Sequence, residues 1–251
     1  MMIAQIEFDG TVFEFDLQKP IDVSMPFKTD SNAASAWYVP PVKIEPVRNE
    51  QFVGDVNEGG SVNFNNIIFN PHGNGTHTES VGHISSNKES VNQTLKTFFF
   101  AAYVISVEPI NQSGDLIITK DQVMSVLKNP CKAVLIRTLP NTLDKLTRQY
   151  SNSNPPYLEV GVIDYLLELG VDHLLIDLPS VDRESDEGIL AAHHRFWNYP
   201  DDPQLHRTIT EFIYVPDSVS DGFYLLNIQL SPFENDAAPS KPVLYKPIET
   251  S

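Results

Sequence analysis

The sequence predicts an α/β protein with a mixed, partly parallel β-sheet core and helices packed around it. Three observations carry that expectation. Apolar segments between residues 97 and 178 follow the order strand, helix, strand, helix, strand, the pattern of crossover connections onto a parallel sheet. The last of them, residues 173–178, is apolar on both faces, as a strand covered on both sides must be. The chain has 251 residues, 41% of them hydrophobic, enough to bury roughly 70% of the surface its unfolded form exposes. No internal repeat, low-complexity tract or shift in composition marks a boundary, so one domain over residues 1–251 is expected.

In chain order, residues 3–16 alternate apolar and polar side chains around Asp9-Gly10, which predicts a β-hairpin. A proline-bearing stretch follows from about residue 18 to residue 60, with Trp37-Tyr38 and Pro40-Pro41. It reads as an extended loop whose aromatic rings seek burial. Residues 62–70 and 97–108 are strand candidates, the second more apolar. Thr119 and Gln122 have the spacing of a capping box ahead of Val123, Met124, Val126 and Leu127, predicting a short helix that ends near Lys128-Asn129-Pro130. Residues 133–137 form a compact strand. Over residues 157–169, Val162, Tyr165-Leu166 and Leu169 recur at helical spacing, and Gly170 stops the run as a left-handed C-terminal residue does. Strands over residues 208–215 and 223–230 lead into an irregular tail.

Charge and cysteine content exclude several classes of function. Seventeen Lys and Arg against 33 Asp and Glu leave a net charge of −16, so neither nucleic acid nor an anionic membrane surface is a natural partner. A single cysteine, Cys131, excludes an intramolecular disulfide and a multi-cysteine zinc site. Residues 1–9 lack the cationic and apolar regions of a signal peptide, and no apolar run approaches the roughly 20 residues of a membrane-spanning helix. A soluble, cytoplasmic protein is the expectation. Serine-hydrolase and nucleotide-triphosphatase readings fail for want of a Gly-x-Ser-x-Gly elbow or a phosphate-binding glycine loop with its lysine.

Chemistry concentrates at one place. The chain has seven histidines, and three fall within twelve residues, His72, His77 and His83, with Glu79 among them. Imidazole and carboxylate are the ligands suited to Zn²⁺, Mn²⁺ or Fe²⁺, and Gly73, Gly75 and Gly82 let the backbone turn tightly enough for them to converge. The same glycines disfavour a helix here. Period-2 geometry puts His77 and Glu79 on one side of a strand, with His83 returning after a turn. A polar loop with exposed histidines that bind nothing is the plain alternative. Further on, Glu211 sits between Ile209 and Ile213, where an unpaired carboxylate would be costly.

The segment from His72 to His83 resembles the metal-binding signature of the cyclase family of metal-dependent hydrolases, which includes bacterial kynurenine formamidase and isatin hydrolase and reads His-x-Gly-Thr-His-x-Asp-x-Pro-x-His. Gly75, Thr76, His77 and His83 match it. Glu79 stands for the Asp, Val81 for the Pro, and one extra residue separates His72 from Gly75. The resemblance runs on through Asp22-Val23-Ser24-Met25-Pro26, Asp177-Leu178-Pro179-Ser180-Val181-Asp182, Ala192-His193 and Thr210-Glu211, and more loosely through residues 223–242.

That resemblance implies a swivelling β/β/α cyclase-like fold and a hydrolase of an amide bond. N-formylkynurenine, a step of tryptophan catabolism, is the implied substrate. A cyclic amide or lactone, or a metal-binding member without turnover, is the alternative. It implies one or two divalent ions per chain, Zn²⁺ favoured and Mn²⁺ possible, held by His72, His77, Glu79, His83 and Glu211. His193 and Glu211 are the implied catalytic residues, with His194 an alternative to His193. A homodimer or higher homo-oligomer acting on a small molecule is expected. Asp182 is open between a site role and a turn or cap, as is Asp177 at its strand end. His173 and His206 carry no pattern.

Overall fold

In the computed structural model, which describes residues 1–30 and 32–248, seven strands close on themselves as a barrel-like sheet. They are β1 (His77–Glu79), β2 (Phe99–Val107), β3 (Ala133–Thr138), β4 (His173–Ile176), β5 (Thr208–Glu211), β6 (Gly222–Leu230) and β7 (Ala237–Tyr245). Around the ring the order is β6, β2, β3, β4, β5, β1, β7 and back to β6. The steps from β2 through β3 and β4 to β5 are parallel, and the remaining steps are antiparallel. Ile21–Asp22 extends the sheet on the far side of β7.

Each parallel step needs a crossover, and three helices are disposed along those connections: α1 (Lys120–Val126), α2 (Val160–Glu168) and α3 (Ala191–Trp197). The two faces of the sheet are both apolar. Val104, Leu135, Leu175, Leu226 and Leu244 pack together on one side. Ile105, Ile136, Ile176 and Ile209 point the other way, among Val123 of α1, Val162 and Leu166 of α2 and Phe196 of α3. The central parallel strands β3 and β4 therefore read as largely apolar runs, whereas β5 carries Thr208, Thr210 and Glu211.

The hairpin forms as Ile3–Phe8 and Thr11–Asp16, with Asp9 and Gly10 both left-handed (φ 48° and 74°), the tight turn that matches strand twist. Thr119 and Gln122 close their capping box on α1, and Gly170 is left-handed beyond α2. Other expectations need correcting. Residues 62–70 yield only Asn65–Ile68, a strand paired with Lys43–Pro46 from the long loop and exposed on both faces. The irregular tail is β7, which pairs β1 through residues 237–239 and β6 through residues 240–245. Pro239 and Pro242 hid it, because proline cannot donate to a ladder and weakens the strand signal. The segment 208–215 ceases to be a strand at Glu211, where Phe212 turns left-handed at φ 56°. Phe196 and Trp197 are fully buried on α3. Among the described residues no helix is long and apolar enough to cross a membrane.

Candidate metal centre

Strand register builds the centre. His77 lies opposite Glu211 on β5, Thr78 opposite Thr210, and Glu79 opposite Ile209. Side chains alternate faces along a strand, so His77, Glu79 and Glu211 share one face. Ile209, on the same face, belongs to the helix-covered core. Thr78 and Thr210 face the other way and share a hydrogen bond of 2.7 Å between their hydroxyls. His77 Nε2 comes within 3.4 Å of Glu211 Oε2.

The residues around the histidines hold this short strand in place. Thr76 accepts a hydrogen bond from the Met25 amide at 2.6 Å and donates to the Phe212 carbonyl, clamping three distant segments together. Gly75 lies so close to the Phe27 ring and the Met25 carbonyl that a Cβ would meet them at 2.8 and 3.1 Å. The additional residue after His72 is absorbed without displacing it. Asn74 accepts from the Asn70 amide at 2.8 Å and donates to the Pro40 carbonyl at 3.1 Å. His72 therefore reaches the cluster, with Nδ1 3.1 Å from Glu79 Oε2 and Nε2 2.9 Å from Asp236 Oδ2. After β1, Ser80 caps a single turn, Val81–His83, by accepting from the Gly82 amide. That turn brings His83 Nδ1 to 3.4 Å from Asp236 and 3.8 Å from Glu79.

Helix α3 closes the cluster from above. Asp182 accepts from the amides of Ala192 and His193 at the first turn, and its Oδ2 lies 2.6 Å from His193 Nδ1. The other ring nitrogen, Nε2, points at Glu79 Oε1 at 3.1 Å and lies 3.8 Å from Glu211 Oε1. His194 faces elsewhere, its Nδ1 3.1 Å from the Tyr199 carbonyl. Of the two adjacent histidines, His193 is thus the one in the site. Asp182 is at once a helix cap and the partner of a site imidazole.

The structure brings together the sequence-proposed metal and catalytic residues His72, His77, Glu79, His83, His193 and Glu211. It adds Asp236, which the sequence did not single out because it stands alone before β7, with no neighbouring ligand and no periodic pattern. Asp177 lies elsewhere, buried against Lys145 at 2.8 Å. His173 packs on Phe100 with its Nδ1 2.9 Å from the Thr208 hydroxyl, and burial pushes its pKa down to about 4. His206 is an exposed partner of Asp172. Cys131 is buried, its thiol pushed up to about 12 by that burial, and so chemically quiet.

Charge is unevenly distributed here. Burial would raise the Glu79 carboxyl, yet His83, His193 and His72 hold it well below the usual carboxylate range. Burial opposes a charge on His193, but Asp182 and Glu79 raise it to about 10. For His72 burial is likewise outweighed, by Asp236 and Glu79, and it too rises to about 10. His77 Nε2 and Glu79 Oε2 remain buried with no aligned hydrogen-bond partner. Orphaned atoms also occur away from the cluster, at Glu89 and Tyr150 for example, and these two are distinguished by belonging to neighbouring residues whose donors suit a metal.

The donor set fits a divalent cation. One ligand atom each from His72, His77 and Glu79 lies within 4.8 Å of the others, and the same is true of Glu79, His83 and His193, and of His72, His83 and Asp236. Mixed imidazole and carboxylate donors suit Zn²⁺ or Mn²⁺. A cleft of about 200 Å³ opens onto the cluster, walled by Trp37, Ser180, Arg183 and Leu190 and floored by His83 and His193.

A closed α/β sheet carrying a cluster of imidazoles and carboxylates able to hold a divalent ion is the class these features define. The model of the putative cyclase family matches residues 21–183, more than half the chain, and the chain belongs to that family. Kynurenine formamidase of Bacillus thuringiensis subsp. konkukian is 28% identical over 196 residues, covering 76% of this chain and 83% of the relative. That of Bacillus anthracis is 26% identical over 232 residues, covering 90% and 97%. Isatin hydrolase A of Labrenzia aggregata, bound to benzyl benzoate, superposes with a TM-score of 0.65 at 15% identity, over 90% of this chain and 93% of that one. A predicted metal-dependent hydrolase from Bacillus stearothermophilus gives a TM-score of 0.63 at 18% identity, over 90% and 98%. The protein is a hydrolase of the cyclase family. The family match stops at residue 183, before His193, Glu211 and Asp236, which join the cluster through the tertiary fold.

Proposed function

We propose that the protein is a metal-dependent arylformamidase that hydrolyses the formamide of N-formylkynurenine. The observation that carries this reading is the convergence of His72, His77, Glu79, His83 and His193, with two buried donor atoms, His77 Nε2 and Glu79 Oε2, that make no aligned hydrogen bond. The kynurenine formamidases among its relatives supply the substrate. A bound divalent cation, Zn²⁺ or Mn²⁺, would lower the pKa of a water and polarise the amide carbonyl.

The chain's own residues divide the work by exposure. His72, His77, Glu79 and Glu211 hold the cation. The His193 side chain is 2% exposed and tied at Nδ1 to Asp182, so its ring is fixed and Nε2 is offered to the cluster, the usual arrangement of a metal-binding histidine. The His83 side chain is 31% exposed at the cleft floor, where it can take a proton from water and return it to the leaving amine. Assigned from sequence as proton carrier and ligand respectively, His193 and His83 exchange roles in this reading. A cyclic amide is the second substrate class, since Trp37 and Leu190 wall a cleft of about 200 Å³ that suits a small aromatic bicycle. A homodimer in solution belongs to the same reading and is checked by light scattering.

Metal equivalents per chain and turnover of N-formylkynurenine, measured side by side on wild type, His83→Ala and His193→Ala, test the reading. The expected result is one or two equivalents in wild type, loss of metal in His193→Ala, and retained metal with a collapse in kcat in His83→Ala. Wild type that binds neither Zn²⁺ nor Mn²⁺ would overturn it. Metal kept by His193→Ala with lost turnover would return the proton-transfer role to His193.

A further inference from the structure

Asp236 is unexplained by the family match and by the roles above, yet it touches two members of the cluster. It sits immediately before β7, where the Ser80 amide donates to its carbonyl at 2.9 Å and anchors the backbone. Its Oδ2 lies 2.9 Å from His72 Nε2 and 3.4 Å from His83 Nδ1, and the two imidazole rings stand 4.4 Å apart. His72 is thereby held between two carboxylates, Nε2 on Asp236 and Nδ1 at 3.1 Å from Glu79. The same construction recurs across the site, where His193 lies between Asp182 at 2.6 Å and Glu79 at 3.1 Å. In both, one carboxylate belongs to the buried ligand set and the other comes from a separate segment.

We infer that Asp236 is a positioning residue of the metal centre: its carboxylate fixes the His72 ring so that Nδ1 is turned to the cation position beside Glu79. The inference rests on the metal reading above. A carboxylate behind a ligating imidazole sets the ring's tautomer and orientation, and losing such a partner typically lowers metal affinity about 10- to 100-fold. The need is greater for His72 than for His77. The His77 side chain is fully buried, whereas that of His72 is 20% exposed and precedes a turn lengthened by one residue. Without Asp236 the His72 ring would be free to swing into the cleft.

The test is Zn²⁺ affinity, by competition with a chelator, for wild type, Asp236→Ala, Asp236→Asn and His72→Ala, together with the visible spectrum of each Co²⁺-loaded protein. Asp236→Ala is expected to lose about 10- to 100-fold in affinity and to alter the Co²⁺ bands. Asp236→Asn, whose amide oxygen can still accept from the imidazole, should recover part of that loss. Asp236→Ala combined with His72→Ala should be no worse than His72→Ala alone. A wild-type circular dichroism spectrum and a cooperative melt in each metal-free variant separate positioning from loss of the fold. Wild-type affinity and spectrum in Asp236→Ala would overturn the inference while leaving the metal reading intact. Asn as damaging as Ala would overturn it in favour of direct ligation by Asp236. No metal in the wild type would sink both.

Discussion

Two buried ionic groups lie within one stretch of chain, and they behave differently. At the end of β4, Asp177 is fully buried against Lys145, whose ammonium also donates to the Thr138 carbonyl and hydroxyl at 2.5 and 2.9 Å. Asp177 in turn accepts from the Thr138 amide at 2.9 Å. Five residues later Asp182 belongs to a cluster of four carboxylates and four imidazoles in which two buried ligand atoms have no aligned partner. The first group is one lysine enclosed by its hydrogen-bond partners, and the second gathers several potential ligand atoms around one position. Burial of charge alone does not mark a site. Buried ligand atoms left without an aligned hydrogen bond, where imidazoles and carboxylates converge, do.

The sharpest way to break this contrast is His77→Ala. Removing a buried ligand atom that makes no aligned hydrogen bond should lower metal content below detection and reduce turnover by more than the roughly hundredfold an outer partner costs. Elemental analysis beside a formamide assay checks it, and a metal-replete, active variant would remove the distinction.

Asp177→Ala should do the opposite. It strands the Lys145 charge and should destabilise the fold by about 3–5 kcal/mol in denaturant melts, with metal stoichiometry unchanged. Replacing both members, Lys145→Met with Asp177→Leu, should be much milder. If Asp177→Ala instead lost metal before stability, the two groups would be coupled.

Asp182→Asn should cost about 10- to 100-fold in metal affinity or kcat/KM, because the tautomer and aim of His193 depend on it, while the melting temperature changes little. A full wild-type affinity would mean that Asp182 serves only as a cap for α3.

The smallest effect is a slope with pH. With both His72 and His193 raised to about 10 when no metal is bound, these imidazoles are protonated at neutral pH. Their stabilising contribution to the metal-free fold is fully present below about 6.5, the unfolded value, and is lost as pH climbs through about 10. Metal must displace those protons, so its affinity should rise with pH over the same window and binding at pH 7 should release protons, readable by calorimetry in two buffers. Affinity independent of pH would mean that neither imidazole carries a proton in the metal-free protein.

The chain's own pattern determined much of this. The glycine-spaced run from His72 to His83 specified a tight turn bearing ligands, and strand alternation placed His77 and Glu79 on one face before any tertiary contact was known. The Asp9-Gly10 turn, the capping box at Thr119 and the stop at Gly170 were legible for the same reason: each is a local rule with a local cause. What lay beyond local rules had to await the fold. The ring closes through β7, whose two prolines obscure it and whose partner β1 lies far away in sequence. Asp236 could be recognised only once that strand was placed beside Glu79, and Asp177 and Asp182 could be told apart only by what each side chain meets. The sequence determined which residues can hold a cation. The tertiary structure decided which of them converge, because convergence depends on strand register and helix placement, and these are settled by burial of the whole apolar surface at once.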